Sequence, residues 1–177
     1  MIGIMTTLAW EELVSFLQQA TIRRLLRQGV WGWEQGQRHF HPMTSPLYLD
    51  TDVGMLEIST IINDSYLSFA VVATPTWDAF DEAGELDNAG LIDLSYEYFG
   101  DRNTVQCQEL RCAYIAETDV ESGHMAMMSI TVDGGERVTL DPWNFSGLRV
   151  RGGVDLESVL AKNDFLASRT TIRTWTR

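Results

Sequence analysis

Between His39 and Asp101 the chain has no lysine and no arginine, although 13 of its 177 residues are basic. The same stretch holds twelve carboxylates: Asp50, Asp52, Glu57, Asp64, Asp78, Asp81, Glu82, Glu85, Asp87, Asp93, Glu97 and Asp101. Residues 1–38 and 102–177 nearly balance, so the net charge of −12 resides in the middle of the chain. Lys162 is the only lysine. Phosphate contacts need clustered Lys and Arg, so neither nucleic acid nor an anionic membrane surface is expected as a partner. Cysteine is scarce too: Cys107 and Cys112 stand five apart, outside any CxxC pattern. An odd separation on a strand over 104–117 puts them on opposite faces, unable to bridge, and reads as reduced thiols of a cytosolic protein. No run reaches the roughly 18–20 apolar residues of a spanning helix. The N-terminus lacks a basic leader region and a cleavage site, and Glu11 and Glu12 interrupt its apolar run, so the expectation is a soluble, cytoplasmic chain.

Core-forming residues are plentiful. The composition is 45% hydrophobic and 10% aromatic, with six Trp and seven Phe, outside the disordered range and sized for a single domain over 1–177. The acidic stretch alternates with Leu47, Leu49, Leu56, Ile58, Leu67 and Phe69, so it should fold with its carboxylates outward. Apolar residues at three- and four-residue steps from Trp10 to Leu26 predict helix over 7–28, capped by Thr6 or Thr7, bent at Thr21-Ile22 and stopped at Gly29. Residues 29–46, punctuated by Gly29, Gly32, Gly36, Pro42 and Pro46, predict irregular chain with short extended pieces. Leu47–Leu49, 55–62 and 66–74 read as strands, the last two around an Asn63-Asp64-Ser65 turn. Residues 76–90 read as a short helix capped by Thr76 and then a loop. Further strands are predicted at 91–99, 104–117, 124–133, 136–141 and 147–151, with Asp133-Gly134-Gly135 as a tight turn. A helix over about 156–167, capped by Asp155 and burying Leu156, Val159, Leu160 and Phe165, precedes a last strand over 170–175. The class is α+β: a mostly antiparallel sheet of about six to eight strands with an N-terminal and a C-terminal helix.

Catalytic patterns are few. There is no GxSxG, and Gly134-Gly135 and Gly152-Gly153 lack the spacing of phosphate loops and serve turns. His39 and His41 share a face of an extended segment, where His124 or nearby acids could complete a metal set. Two surface histidines before Pro42 is the plainer reading, and no metal or cofactor is assigned. A Cys112–His124 pair is the sort any chain with two Cys and three His offers. The chain is read as a binding protein and not an enzyme.

The most distinctive string is Leu140-Asp141-Pro142-Trp143-Asn144-Phe145-Ser146-Gly147-Leu148-Arg149-Val150. Physically it is a strand end, a turn set by Asp-Pro, two aromatics pinned to the core and a returning strand. Over about ten residues the DPWNF–G segment resembles small bacterial immunity proteins, the inhibitors that accompany polymorphic or contact-dependent toxins. That resemblance implies a cytosolic protein that blocks a co-encoded toxin by direct binding; it transfers no contact residues. The acidic stretch supplies the candidate contacts. Asp78, Asp81, Glu82, Glu85, Asp87, Asp93 and Glu97 provide charge for a basic toxin or effector, and Trp77 and Phe80 provide aromatic anchors. Two rival readings remain: a nucleic-acid mimic whose acids imitate phosphates, and a small ligand-binding or enzymatic barrel lined by Met125, Met127 and Met128.

Overall fold

The computed structural model describes residues 7–61, 65–77, 86–116, 118, 121, 123–143 and 148–177. Helix α1 (Trp10–Gln19) is followed by strands β1 (Thr21–Glu34), β2 (Gln37–Thr51), β3 (Met55–Ile61) and β4 (Tyr66–Val72). A 3-10 turn (Leu86–Asn88) leads into β5 (Ala89–Asp93) and the short helix α2 (Ser95–Phe99). Strands β6 (Val105–Tyr114), β7 (Met127–Val132), β8 (Arg137–Asp141) and β9 (Arg149–Gly152) precede helices α3 (Leu156–Leu160) and α4 (Asp164–Ala167) and strand β10 (Thr171–Thr176). The expected class holds, with ten strands among the described residues where six to eight were predicted.

All strand pairs are antiparallel, in the order β4-β3-β2-β1-β6-β7-β8-β9, with β5 added to β1 and β10 to β6. The sheet is open; its two halves join where Thr21 and Ile22 pair with Gln106 and Val105, and touch again at an isolated antiparallel bridge between Leu67 of β4 and Met125. The main core lies between the halves. Leu25, Leu49, Leu56, Ile58 and Phe69 of the first half face Leu110, Cys112, Met128, Ile130 and Leu140 of the second, with Leu13 and Leu17 of α1 added. A smaller core holds Ala113, Ile115 and Met127 against Leu156, Val159, Leu160 and Leu166.

The predicted helix over 7–28 is corrected to a ten-residue helix and the start of β1. Its N-cap is Ala9, whose N–H donates to Glu12 Oε2 at 2.9 Å, and Thr7 instead bridges to Ala70 of β4. Beyond Gln19 the chain is extended because Thr21 is held by the 51–54 turn: its N–H donates to Asp52 Oδ1 at 2.7 Å, and its carbonyl accepts from Asp52 N. Strand β1 is covered on both faces, so Leu25 and Leu26 are both buried and a register shift sits at Arg23. Adjacent buried residues imitate a helical stripe.

Residues 29–46 are also corrected, to a continuation of the β1–β2 hairpin. Gln35 (φ 50°) and Gly36 (φ 79°) form its two-residue turn, in which both central residues take positive φ. The predicted strand 91–99 divides into β5 and α2, because Asp93 Oδ1 accepts the Ser95 N–H at 2.8 Å and starts a helical turn. Asp155 caps α3 as expected, through Ser158 N at 2.8 Å. The helix over 156–167 nevertheless breaks in two, because Asn163 Oδ1 accepts Leu166 N–H at 3.2 Å and opens a second helix. That restart buries Leu166 and leaves Phe165 exposed.

Candidate partner-binding face

The outer face of the first half-sheet carries a row of side chains that is apolar at its ends and polar in the middle. Leu26, Tyr48, Glu57 and Ala70 are register partners across β1, β2, β3 and β4. Tyr48, Glu57 and neighbouring Gln28 are buried, which polar groups tolerate only when hydrogen-bonded. Thr76 supplies the partners. Its Oγ1 donates to Glu57 Oε2 at 2.9 Å, its N–H donates to Tyr48 Oη at 3.2 Å, and its carbonyl accepts from Gln28 Nε2. Ser59 Oγ donates to the other Glu57 oxygen at 3.0 Å. Burial pushes the Tyr48 phenol well above its ordinary value, so it stays neutral in this network. The arrangement latches the chain at Thr76, one residue before the acidic segment 77–87.

The predicted contact residues separate into three groups. Trp77 is half-buried beside the latch, and Asp87 and Glu97 are exposed at the far end of the segment. Asp93 is exposed but serves as the cap of Ser95. Asp78, Phe80, Asp81, Glu82 and Glu85, and with them the expected short helix after Thr76, lie outside the described residues. Other acids of the stretch have structural partners: Asp50 pairs with Arg24 Nη2 at 2.8 Å, Asp52 holds Thr21, and Glu57 belongs to the latch. Part of the charge asymmetry therefore serves the fold.

Beside this face the distal half of the β1–β2 hairpin projects as an arm, a feature missed in the sequence. Trp31 and Phe40 are register partners with ring centroids 5.1 Å apart, and the Arg38 guanidinium lies 4.8 Å from the Trp31 ring centroid. These rings sit over Gly90 of β5, where a Cβ would fall 2.8 Å from Trp31 Nε1. Trp33, two residues before the turn, is 75% exposed. The two-residue spacings Trp31/Trp33 and His39/His41 were the available signal, since a period of two is that of a strand.

The other candidate chemistry resolves as follows. His39 and His41 share the opposite face of the arm, with His41 Nε2 3.4 Å from Glu34 Oε1. Among the described residues no three His, Cys, Asp or Glu side chains converge as a metal set. Cys107 and Cys112 are both buried in the main core, which corrects the opposite-face expectation. The register shift at Gln108 inserts one residue and puts them on one face. Burial pushes the Cys107 thiol up to about 12 and raises Cys112 as well, so neither is a ready nucleophile. Met125 and Met128 pack in the main core and Met127 in the smaller one, so the three do not line a common pocket. The void in the main core beside Leu25 and Ile130 is about 10 Å³, room for one water at most. In the distinctive string, Asp141 Oδ1 accepts Trp143 N–H at 3.0 Å and forms the expected turn, while Asn144–Gly147, Phe145 included, lie outside the described residues. Among the described residues no helix is long and apolar enough to cross a membrane. No protein-family model, curated protein or solved structure matches this chain.

Proposed function

We propose that this chain is a stoichiometric binding protein of the immunity type, which neutralises a basic toxin or effector by laying the segment from Trp77 to Glu97 over its cationic surface. The observation that carries the reading is the latch. A buried carboxylate, a phenol and an amide are all spent on fixing Thr76, the residue from which the acidic segment departs. A segment needed only for solubility gains nothing from so specific an anchor. Charge in the segment would steer the encounter, and Trp77 and Phe80 would supply desolvated anchors. Asp87 and Glu97 contribute exposed charge at its far end, and Asp93 adds charge while capping α2.

The test is capture from the native host at low and moderate salt, followed by reconstitution of the captured protein with purified chain. The wild type should hold one basic partner at 1:1. A variant with Asp78, Asp81, Glu82, Glu85 and Asp87 changed to Asn or Gln should associate at least about tenfold more slowly and with a flatter salt dependence. Association that is insensitive to salt and unchanged in the variant would overturn the reading.

A further inference from the structure

A second concave site lies on the outer face of the other half-sheet, between its strands and helices α3 and α4. It is a half-enclosed cavity of about 430 Å³, within the range of small-molecule sites. Its apolar walls include Trp143 and Phe165, whose ring centroids are 5.6 Å apart, with Met127 and Leu166 alongside. Asp141, whose side chain is only 4% exposed, forms the polar end with Arg151.

The hydrogen-bond inventory of this cavity is one-sided. Both Asp141 oxygens are engaged: Oδ1 accepts Trp143 N–H, and Oδ2 accepts Arg151 Nε at 3.2 Å and Nη2 at 2.9 Å. Arg151 thereby keeps Nη1 without a partner among the described residues. Asn163 uses its Oδ1 on Leu166 N–H, so its amide NH₂ is what it can still offer. Lys162, the sole lysine of the chain, stands in the wall and makes no ion pair among the described residues. The Trp143 Nε1–H is buried with no acceptor. What remains to be satisfied is therefore donors and positive charge, beside flat apolar walls. Asp164 is the opposing charge; it and Lys162 are both exposed, so water and salt screen both, and the sheltered donors, Trp143 Nε1–H and the partly buried Arg151, carry the preference for an acceptor.

We propose that this cavity binds a small planar aromatic carboxylate, its carboxylate toward Lys162 and Arg151 and its ring against Trp143 and Phe165. The proposal is independent of the partner-binding reading, since it uses the opposite half of the sheet and none of the acidic segment.

The probes are 2-naphthoate and its neutral isostere 2-naphthamide, titrated calorimetrically and followed through the indole N–H resonances of the whole chain. The expected result is saturable 1:1 binding of the acid, at least about tenfold tighter than the amide, with the Trp143 indole signal shifting in step. Lys162→Gln, at an exposed position, should fold normally and weaken the acid at least about fivefold while leaving the amide unchanged. Phe165→Ala, also exposed, should weaken both. The absence of saturable binding up to about 5 mM, equal affinity for acid and amide, or an unchanged affinity in Lys162→Gln would each overturn the proposal.

Discussion

At the scale of single residues, the latch can be tested by removing one hydroxyl. Thr76→Val keeps the side-chain shape but leaves Glu57 Oε2 without its donor in a buried place. Stranding a buried acceptor costs about 1–3 kcal/mol, so the urea midpoint should fall accordingly. If the latch anchors the acidic segment, limited proteolysis within 77–86 should also accelerate by more than global destabilisation explains. Equal acceleration at sites throughout the chain would contradict that anchoring role. Asp52 offers a pH-dependent counterpart. The Thr21 N–H bond lowers its carboxyl below the ordinary 3.8. A depressed folded value contributes stability that is fully present above the unfolded value and is lost as pH falls through the folded one. The stability gap between wild type and Asp52→Ala should therefore be constant at neutral pH and shrink below about pH 4. None of this was legible in the sequence beyond the charge bias. The same letter stands for the exposed Asp87, the capping Asp93 and the ion-paired Asp50, and only tertiary placement distinguishes them.

At the scale of elements, local signals succeeded where local chemistry decides. Asp155 caps a helix, and the β3–β4 and β7–β8 pairs fall where period-two runs predict them. They failed where distant partners decide. Thr21–Gln28 has a helical pattern, but β1 gains β2 on one side and β5 and β6 on the other, and ladder bonds outweigh propensities of at most about 0.7 kcal/mol per residue. The same reasoning explains the arm, where Gly29 reads as a break and is in fact a clearance for Phe40 and the His41 carbonyl, while Gly90 of β5 makes room for Trp31. Gly90→Ala would place a methyl 2.8 Å from Trp31 Nε1, too close for contact. The expected loss is about 1–3 kcal/mol through displacement of Trp31 and loosening of the β1–β5 pair, read as a lowered melting temperature. Trp33→Ser, two residues along the same arm, should change stability by less than about 0.5 kcal/mol because the ring is already in water. A large loss from Trp33→Ser would mean that the ring packs against something in solution.

At the scale of the whole molecule, the charge distribution sets two effects against each other. Ion pairs such as Arg24–Asp50 and Arg111–Glu157 stabilise and weaken as salt rises. Each has one well-exposed partner, Arg24 and Glu157, and pairs open to water on one side are worth about 0.2–1 kcal/mol each. Against them stands the mutual repulsion of a net −12, concentrated in a stretch without a single compensating Lys or Arg. Within that stretch, carboxylates a few residues apart lie inside the Debye length of about 10 Å at 0.1 M salt, so screening relieves repulsion there more than it costs the scattered pairs. The melting temperature should rise between about 0.01 and 0.5 M NaCl. The variant with Asp78, Asp81, Glu82, Glu85 and Asp87 neutralised should melt higher at low salt and respond less to salt. The opposite slope would mean that the ion pairs dominate and that the acidic segment carries little repulsive strain in the free protein. It would then have little electrostatic energy to release on meeting a basic partner. The salt dependence of the isolated chain therefore bears on the partner-binding reading before any partner is in hand.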